Sequence, residues 1–116
     1  MIPDLRQWDV VMVKIRETDA VAHPAVVVSD DETCSNPAAL RLNVLFGTKK
    51  QPRETAGLRD VRLNSAEGLE FATLVGCGFF YVVNKDRLRE RVGRVGPERR
   101  RAIARKVVEV LRLPVW

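Results

Sequence analysis

Alternating apolar and polar residues predict a series of short β-strands over most of the chain. In the first of them, Val11, Val13 and Ile15 fall on one side of an extended backbone. The second contains a run of β-branched residues (VVV at 26–28), which is typical of a strand buried on both faces or nearly so. The segments predicted to be strands are 9–16, 25–28, 40–46, 61–63, 71–75, 79–83 and 91–95. A β-sheet is therefore expected as the main layer of the fold.

Turn-forming residues separate these strands. Residues 29–39 are rich in Asp, Ser, Asn and Pro and are interpreted as a loop, and residues 48–57 form a polar segment. A bend or bulge is expected at 76–78 (GCG). Asn84 is expected to cap a short helical turn over residues 85–88. These breaks keep every predicted strand short.

The chain ends in a predicted helix. Pro97 suits the first helical position, Glu98 suits the positive end of the helix dipole, and Pro114 ends the helix. The apolar stripe that should pack on the sheet consists of Ile103, Val107, Val110 and Leu111. Many short strands with one terminal helix predict a mainly β fold with a C-terminal α-helix, built as a small, strongly bent antiparallel β-barrel.

Length and composition indicate one globular domain over residues 1–116. No apolar run approaches the ~20 residues that span a membrane. The N-terminus lacks a basic end followed by an apolar stretch, so we expect no secretory signal and a cytoplasmic location. For Cys34 and Cys77 a reduced pair is favoured over a disulfide. One histidine and two scattered cysteines argue against a structural zinc site, and no cofactor is expected.

The net charge of +5 is concentrated near the C-terminus. Residues 85–116 hold eleven Lys or Arg and four Asp or Glu, or +7, whereas residues 1–84 hold nine and eleven, or −2. This asymmetry suggests an anionic partner, most plausibly a nucleic acid. A solvated basic helix face explains the same charge equally well.

Polar and charged side chains stand at the ends of two predicted strands. The single histidine, His23, precedes the β-branched run, and a second strand ends in Thr48, Lys49 and Lys50. An imidazole, a hydroxyl and two ammonium groups brought together would suit one phosphate-sized site. Arg16, at the end of the first strand, could reach the same site.

The order of motifs resembles the MazF/PemK family of toxin endoribonucleases. Residues 8–11 (WDVV) stand where the family has Gly-Asp and a Val or Ile run. Residues 23–29 (HPAVVVS) stand where it has Arg-Pro-Ala-Leu-Val-Val-Ser. The strand ending at Thr48 matches one that ends in a Thr-Ser-like pair. Residues 83–88 (VNKDRL) match a Val-Asp-Lys-Ser-Arg-Leu turn that precedes the last helix.

The resemblance covers roughly residues 7–113 and implies a compact barrel of the MazF/PemK/CcdB type. It also implies a homodimer and a metal-independent endoribonuclease that cuts single-stranded mRNA. Such a protein is the toxin of a type II toxin–antitoxin system and is held inactive by a cognate antitoxin. By position, His23 replaces the family's usual catalytic arginine and Thr48 matches its catalytic threonine. The candidates for contact with RNA are Arg16, Lys49, Lys50 and Tyr81.

Departures from the family pattern fall at the site itself. Histidine at position 23 supplies an acid–base group that titrates near neutrality, whereas arginine supplies a permanent bidentate grip on phosphate. Residues 78–81 (GFFY) replace Asp-Gln-Ile/Val-Arg, so Tyr81 stands in place of a second RNA-contacting arginine. Trp8 replaces the glycine before Asp9.

Plainer interpretations of the same residues stay open. His23 and Thr48 are also consistent with ordinary strand ends, and the two lysines with a solvated loop. Tyr81 and Trp8 are also consistent with packing in the core or at a dimer interface. Two alternative functions follow. One is a fold relative without nuclease activity that binds nucleic acid or protein through the same groove. The other is a toxin that poisons a protein such as DNA gyrase.

Overall fold

The computed structural model describes residues 2–49, 59–70 and 72–114. The strands and α-helices, in chain order, are β1 (Asp9–Val13), β2 (His23–Val27), α1 (Asp31–Ser35), β3 (Arg41–Lys49), β4 (Asp60–Leu63), β5 (Thr73–Gly76), β6 (Tyr81–Asn84), β7 (Leu88–Arg94) and α2 (Pro97–Leu111). Short 3-10 turns cover Ser65–Glu67 and Lys85–Arg87. The mainly β fold with a C-terminal helix is confirmed. No helix in the described part of the chain is long and apolar enough to cross a bilayer.

The strands form an antiparallel sheet in the order β4-β5-β3-β2-β1-β7, and β6 pairs with β3 as well. The nine-residue strand β3 changes partner along one edge, from β6 at residues 41–44 to β5 at residues 47–49. Its other edge pairs with β2 at residues 44–46. The register between β1 and β7 shifts twice, and such bulges increase the local twist. The result is the strongly curled sheet that the sequence predicted.

Both faces of this sheet are buried over part of their area. Because neighbouring residues of a strand point to opposite faces, each central strand supplies two clusters. The helix-side face packs against α2 and includes Val10, Val26, Leu45 and the helical Ile103. The far face packs against α1 and the N-terminal segment and includes Val11, Val27, Val44 and Cys34. Apolar burial on both faces explains why the central strands lack a polar side.

The short helix α1 replaces part of the loop that was expected over residues 29–39. Asp30 caps it, since its carboxylate accepts a hydrogen bond from the Thr33 backbone N–H at 3.0 Å. The hydrogen bonds from Thr33 lower the pKa of Asp30. Cys34, on the inner side of α1, is buried in the far-face cluster. The loop interpretation was wrong because five residues are too few for a helical period to be visible in the sequence.

Other boundaries also differ from the prediction: β1 ends at Val13 instead of residue 16, β6 begins at Tyr81 instead of residue 79, and β7 begins at Leu88 instead of residue 91. Asn84 flanks the 3-10 turn as expected, but its side chain makes no capping hydrogen bond. Asn84 is instead the last residue of β6, where it lies opposite Arg41 of β3. The polar segment expected over residues 48–57 begins later than predicted, since Thr48 and Lys49 continue β3. The remainder of that segment falls outside the described residues.

A buried carboxylate fixes the start of β1 against β7. Asp9 is 1% exposed. Its oxygens lie 3.4 Å from Arg91 Nη1 and 3.3 Å from Arg94 Nε, and one of them accepts a hydrogen bond from Arg6 N at 2.8 Å. Trp8, just before it, has a φ of +75°, in the left-handed region that favours glycine. The family's glycine at this position is therefore explained by the backbone, and the indole of Trp8 packs against the helix-side cluster.

Lys85 joins the 3-10 turn after β6 to the end of α1. Its side chain is buried, and Nζ donates hydrogen bonds to the carbonyl oxygens of Thr33 at 2.7 Å, Cys34 at 3.2 Å and Asn36 at 2.9 Å. The last carbonyl groups of a helix lack intrahelical partners and carry partial negative charge, so a cation is favourable there. Lys85 is therefore a structural residue that holds α1 on the far face.

We predict that Lys85→Met destabilises the fold by about 2–3 kcal/mol, because it leaves buried carbonyl groups without a donor. Urea unfolding followed by circular dichroism measures the change in the free energy of unfolding. Lys14→Met is the matched control, since the half-buried Lys14 side chain faces a surface cleft. Equal stability of the two variants would contradict the structural role of Lys85.

Candidate functional site

His23 is exposed and is the first residue of β2. It lies opposite Val13, the last residue of β1. The next residue, Pro24, packs beside β3: its Cγ is 3.5 Å from the point where a Cβ of Gly47 would lie. The histidine therefore stands at the rim of the sheet, where a buried strand begins.

Thr48 is exposed near the end of β3, where it lies opposite Leu74 of β5. On the other edge of β3, Ala25 pairs with Phe46. The pairing of β2 with β3 covers residues 25–27 and 44–46. His23 and Thr48 each lie two residues beyond Ala25 and Phe46, so by strand alternation both have the parity of the far face. That the two side chains meet at one site stays a prediction.

Tyr81 is 49% exposed, begins β6 and lies opposite Val44. Its ring meets that of Phe46 in a T-shaped contact, with 5.1 Å between the ring centroids and 70° between the planes. Tyr81 and Thr48 line the same surface cleft of about 290 Å³, together with Phe46 and Phe79. We call this the aromatic cleft. Tyr81 is therefore a surface residue beside Thr48 rather than part of the closed core.

The three remaining candidates are less well located. Arg16 is exposed in a turn after β1, where its backbone N–H donates to Asp19 Oδ2 at 2.9 Å. This turn follows the strand end that faces His23. The backbone of Lys49 pairs with Thr73, but the side chain of Lys49 and all of Lys50 lie outside the described part of the structure. The roles of Arg16, Lys49 and Lys50 stay predictions.

A second cleft was not predicted from the sequence. It has a volume of about 500 Å³ and adjoins the aromatic cleft, since Phe46 and Tyr81 line both. Its cationic side chains are Lys14, Arg41 and Arg87. We call it the cationic cleft. These cations lie on three separate elements, so no cluster of positive charge marks them in the sequence.

The basic C-terminal region contributes less free charge than its composition suggests. Arg99 Nη1 donates to the carbonyl oxygen of Arg62. Arg100 Nε donates to the carbonyl oxygen of Val95 at 2.6 Å. Both therefore tie α2 to neighbouring strands and loops. Arg101 and Arg105 are exposed, but α2 covers the helix-side face, away from His23 and Thr48.

The two cysteines are buried and unpaired with each other. Burial raises the pKa of the Cys34 and Cys77 thiols to about 11 each, which disfavours the nucleophilic thiolate. Cys34 lies in the far-face cluster and Cys77 in the helix-side cluster, so the fold does not bring the two thiols together. Within the described residues, no group of three or more His, Cys, Asp or Glu side chains could hold a metal ion.

Fold and site together define a class of protein: a small curled antiparallel sheet with a C-terminal helix, and a polar pair where two central strands end. The sequence model of the PemK-like, MazF-like toxins of type II toxin–antitoxin systems matches residues 6–111. The chain belongs to this family, as the order of its motifs indicated. No curated protein matches the sequence significantly.

Solved structures with a similar fold include several toxins. An endoribonuclease in complex with its cognate antitoxin, from a mycobacterial species, is 18% identical with a TM-score of 0.74, over 98% of this chain and 99% of that chain. The Mycobacterium tuberculosis toxin MazF-mt6 is 14% identical with a TM-score of 0.75, over 92% and 99%. A chain of the MazE–MazF complex of Deinococcus radiodurans is 13% identical with a TM-score of 0.71, over 95% and 97%. At these identities the likeness shows the fold.

We predict that neither cysteine reacts readily in the native protein. With a pKa of about 11, roughly one thiol in a thousand is ionised at pH 8. Iodoacetamide labelling at pH 8, read by intact mass, should be at least ~10-fold slower in buffer than in denaturant. Labelling of the native state should speed up towards pH 10, since the thiolate fraction rises with pH. Rapid native labelling at pH 8 would contradict this assignment.

Proposed function

We propose that this chain is a toxin that acts as a metal-independent endoribonuclease on single-stranded mRNA in the cytoplasm. The observation that carries the proposal is the antiparallel register of β2 and β3. This pairing runs up to Ala25 and Phe46, so the strand that begins at His23 lies beside the strand that carries Thr48. An imidazole and a hydroxyl are groups that phosphodiester cleavage uses, and Thr48 lines an open cleft.

In the proposed reaction, the ribose 2′-oxygen attacks the adjacent phosphorus and the bond from phosphorus to the 5′-oxygen breaks. One group accepts the 2′-hydroxyl proton, and a group gives a proton to the departing 5′-oxygen. His23 is proposed to act as the general acid or base. Thr48 is proposed to donate a hydrogen bond to the phosphorane oxygen where negative charge grows. The products are a 2′,3′-cyclic phosphate and a 5′-hydroxyl.

Histidine in place of arginine at residue 23 changes which residues supply the acid–base group and which supply the positive charge. Histidine exchanges a proton near neutral pH, but it does not hold phosphate with a permanent charge. The proposal therefore assigns the positive charge to Arg16, Lys49 and Lys50. Tyr81, in place of the family arginine, is assigned a contact with an unpaired base, since it is half exposed beside Thr48.

A cognate antitoxin is the proposed protein partner. Family membership supports this, and solved relatives of similar fold include an endoribonuclease in complex with its cognate antitoxin and a MazE–MazF complex. A short neighbouring gene whose product has a DNA-binding N-terminal half and an acidic tail would be the candidate. Co-expression of that product should relieve growth arrest by the toxin.

A homodimer is proposed through β6 and the end of α2. In the described part of the sheet, β6 pairs with β3 and leaves its second edge without a strand. Four large apolar residues near this edge are exposed: Phe80, Val82, Leu111 and Leu113. Phe80 and Val108 of α2 line one apolar groove, so strand edge and helix form a continuous surface. Unpaired strand edges and apolar patches of this kind favour association.

We predict that His23→Ala lowers the rate of RNA cleavage by ~10²–10⁴. His23→Arg restores the family residue, so its cleavage should be retained. Gel assays with single-stranded RNA in EDTA measure the rates of both variants against wild type.

Several outcomes separate the functions. Cleavage by His23→Ala at the wild-type rate would contradict the mechanism. Growth arrest on expression with intact cellular RNA would favour a toxin that poisons a protein. Absence of arrest, with no cleavage by wild type or His23→Arg, would favour a binding module without nuclease activity.

We predict that Phe80→Asp makes the protein monomeric, since a charge would then enter an apolar interface. Light scattering on a sizing column should give about twice the 13.1 kDa chain mass for wild type and the single-chain mass for the variant. Val21→Asp is the control, because Val21 is 69% exposed in the connection between β1 and β2. A wild-type monomer at micromolar concentration would contradict the proposed dimer.

A further inference from the structure

Arg87 lies where the folded scaffold meets the connection between β1 and β2. It is the last residue of the 3-10 turn Lys85–Arg87, immediately before β7. This turn is fixed from the inside, since Lys85 is buried and its Nζ donates to three carbonyl oxygens at the end of α1. The backbone of Arg87 is therefore a well-anchored point at the edge of the sheet.

The connection between β1 and β2, residues 14–22, is a largely exposed segment that ends at His23. Within it, Asp19 N donates to Arg16 O at 3.0 Å, and Arg16 N donates to Asp19 Oδ2 at 2.9 Å. These two hydrogen bonds make a compact turn around Arg16. The large apolar side chains of the connection are at least half exposed, so packing contributes little to its position.

Two contacts with Arg87 tie this connection to the scaffold. At its start, Lys14 N donates a hydrogen bond to Arg87 O at 3.0 Å. Further along, Glu17 Oε1 lies 3.8 Å from Arg87 Nη1 and forms an ion pair with it. Arg16 lies between Lys14 and Glu17 in the sequence, so the two contacts bracket this residue.

The two partners of the ion pair differ in exposure. Arg87 Nη1 is buried and makes no hydrogen bond within the described residues, whereas the Glu17 side chain is 83% exposed. Buried donors are nearly always hydrogen-bonded, and a carboxylate is a strong acceptor for a guanidinium group. A shortening of the distance between Glu17 Oε1 and Arg87 Nη1 by about 1 Å would complete such a bond. The guanidinium group therefore attracts the connection towards the 3-10 turn.

We infer that Arg87 is a positioning residue of the proposed nuclease: through Glu17 it holds the connection between β1 and β2 and thereby sets the place of Arg16. The inference rests on the proposed function, in which Arg16 supplies positive charge near His23. Neither Arg87 nor Glu17 is assigned a contact with RNA. A cation stabilises the charge of a phosphorane best when its place is set before the reaction, since ordering it during the reaction costs free energy.

The sign of the effect separates this role from simple electrostatics. Glu17 is an acid in the connection that leads to a proposed site for an anionic substrate, so loss of its charge alone would favour RNA binding. If Glu17 positions Arg16, the same loss slows cleavage instead. An exposed ion pair changes the balance between two positions of a segment by at most about 5-fold, which limits the expected decrease to about 2- to 5-fold.

The first test compares Glu17→Gln with wild type in the cleavage of a single-stranded RNA mixture in EDTA. The rate should fall about 2- to 5-fold, with little change in the thermal midpoint of unfolding. In an Arg16→Ala background Glu17→Gln should have no further effect, because the residue that it positions is gone. Glu90→Gln, which removes the same charge from an exposed position of β7, is the matched control and should not slow cleavage. A Glu17→Gln rate equal to or above that of wild type would overturn the inference and leave the proposed nuclease intact.

Hydrogen exchange read by mass spectrometry tests the contact without RNA. Peptides from residues 14–22 should exchange about 2- to 5-fold faster in Glu17→Gln than in wild type, since the ion pair no longer holds the connection. Arg87→Lys, which keeps a cation on the turn, should exchange more slowly there than Arg87→Met. Unchanged exchange in Glu17→Gln would overturn the inference whatever the RNA assay shows. Faster exchange, with no RNA cleavage by wild type, would overturn the proposed function and with it the positioning role of Arg87.

Discussion

The arrangement of the site depends on a close approach of three chain segments at Gly47. A Cβ atom at this position would lie 2.5 Å from Thr73 Cγ2, so a larger residue would displace the Thr73 side chain of β5, whereas Pro24 Cγ of β2, at 3.5 Å, would be in ordinary contact. Glycine therefore lets β3 exchange β6 for β5 at this point while β2 stays beside it. The next residue, Thr48, is exposed and lies opposite Leu74 of β5. A side chain at residue 47 that displaced Thr73 would therefore disturb the pairing that positions Thr48.

Position, rather than number, decides what the basic residues do. Arg91 and Arg94 surround the buried carboxylate of Asp9, and Arg99 and Arg100 donate to backbone carbonyl groups. These four cations are part of the scaffold, although all of them lie in the strongly basic C-terminal third of the sequence. The cations that line the cationic cleft are Lys14, Arg41 and Arg87, and only Arg87 belongs to the basic region 85–116. Charge counted along the chain therefore does not separate cations of the scaffold from cations that line a cleft.

Elements whose residue pattern repeats along the chain could be predicted from the sequence. Features that depend on contacts between residues far apart in the chain could not. Alternation gave the strands and the apolar stripe gave α2, because both repeat over several residues. The helix α1 was missed because it is one turn and a half long. The positions of His23 and Thr48 near the ends of two strands were predicted, whereas the meeting of Phe46, Phe79 and Tyr81 in one cleft was not. Three rings from two strands and a connection become neighbours only through the register of β3 with β6. One feature of the sequence did indicate exposed rings: Phe79 and Phe80 are consecutive and lie next to a predicted bend. Large apolar side chains in a turn are less easily buried in the core.

Two departures from the family pattern, at residues 23 and 81, both remove positive charge from the same face of the sheet. Exchange of arginine for histidine at residue 23 removes a permanent charge from the start of β2, and exchange of arginine for Tyr81 removes another from the start of β6. Both strand ends border the same face, so the two exchanges lower the positive charge at one place. A site with less charge holds phosphate less strongly. The proposed nuclease would therefore need another attraction for its substrate, and stacking of an unpaired base on the half-exposed Tyr81 is one that salt weakens little.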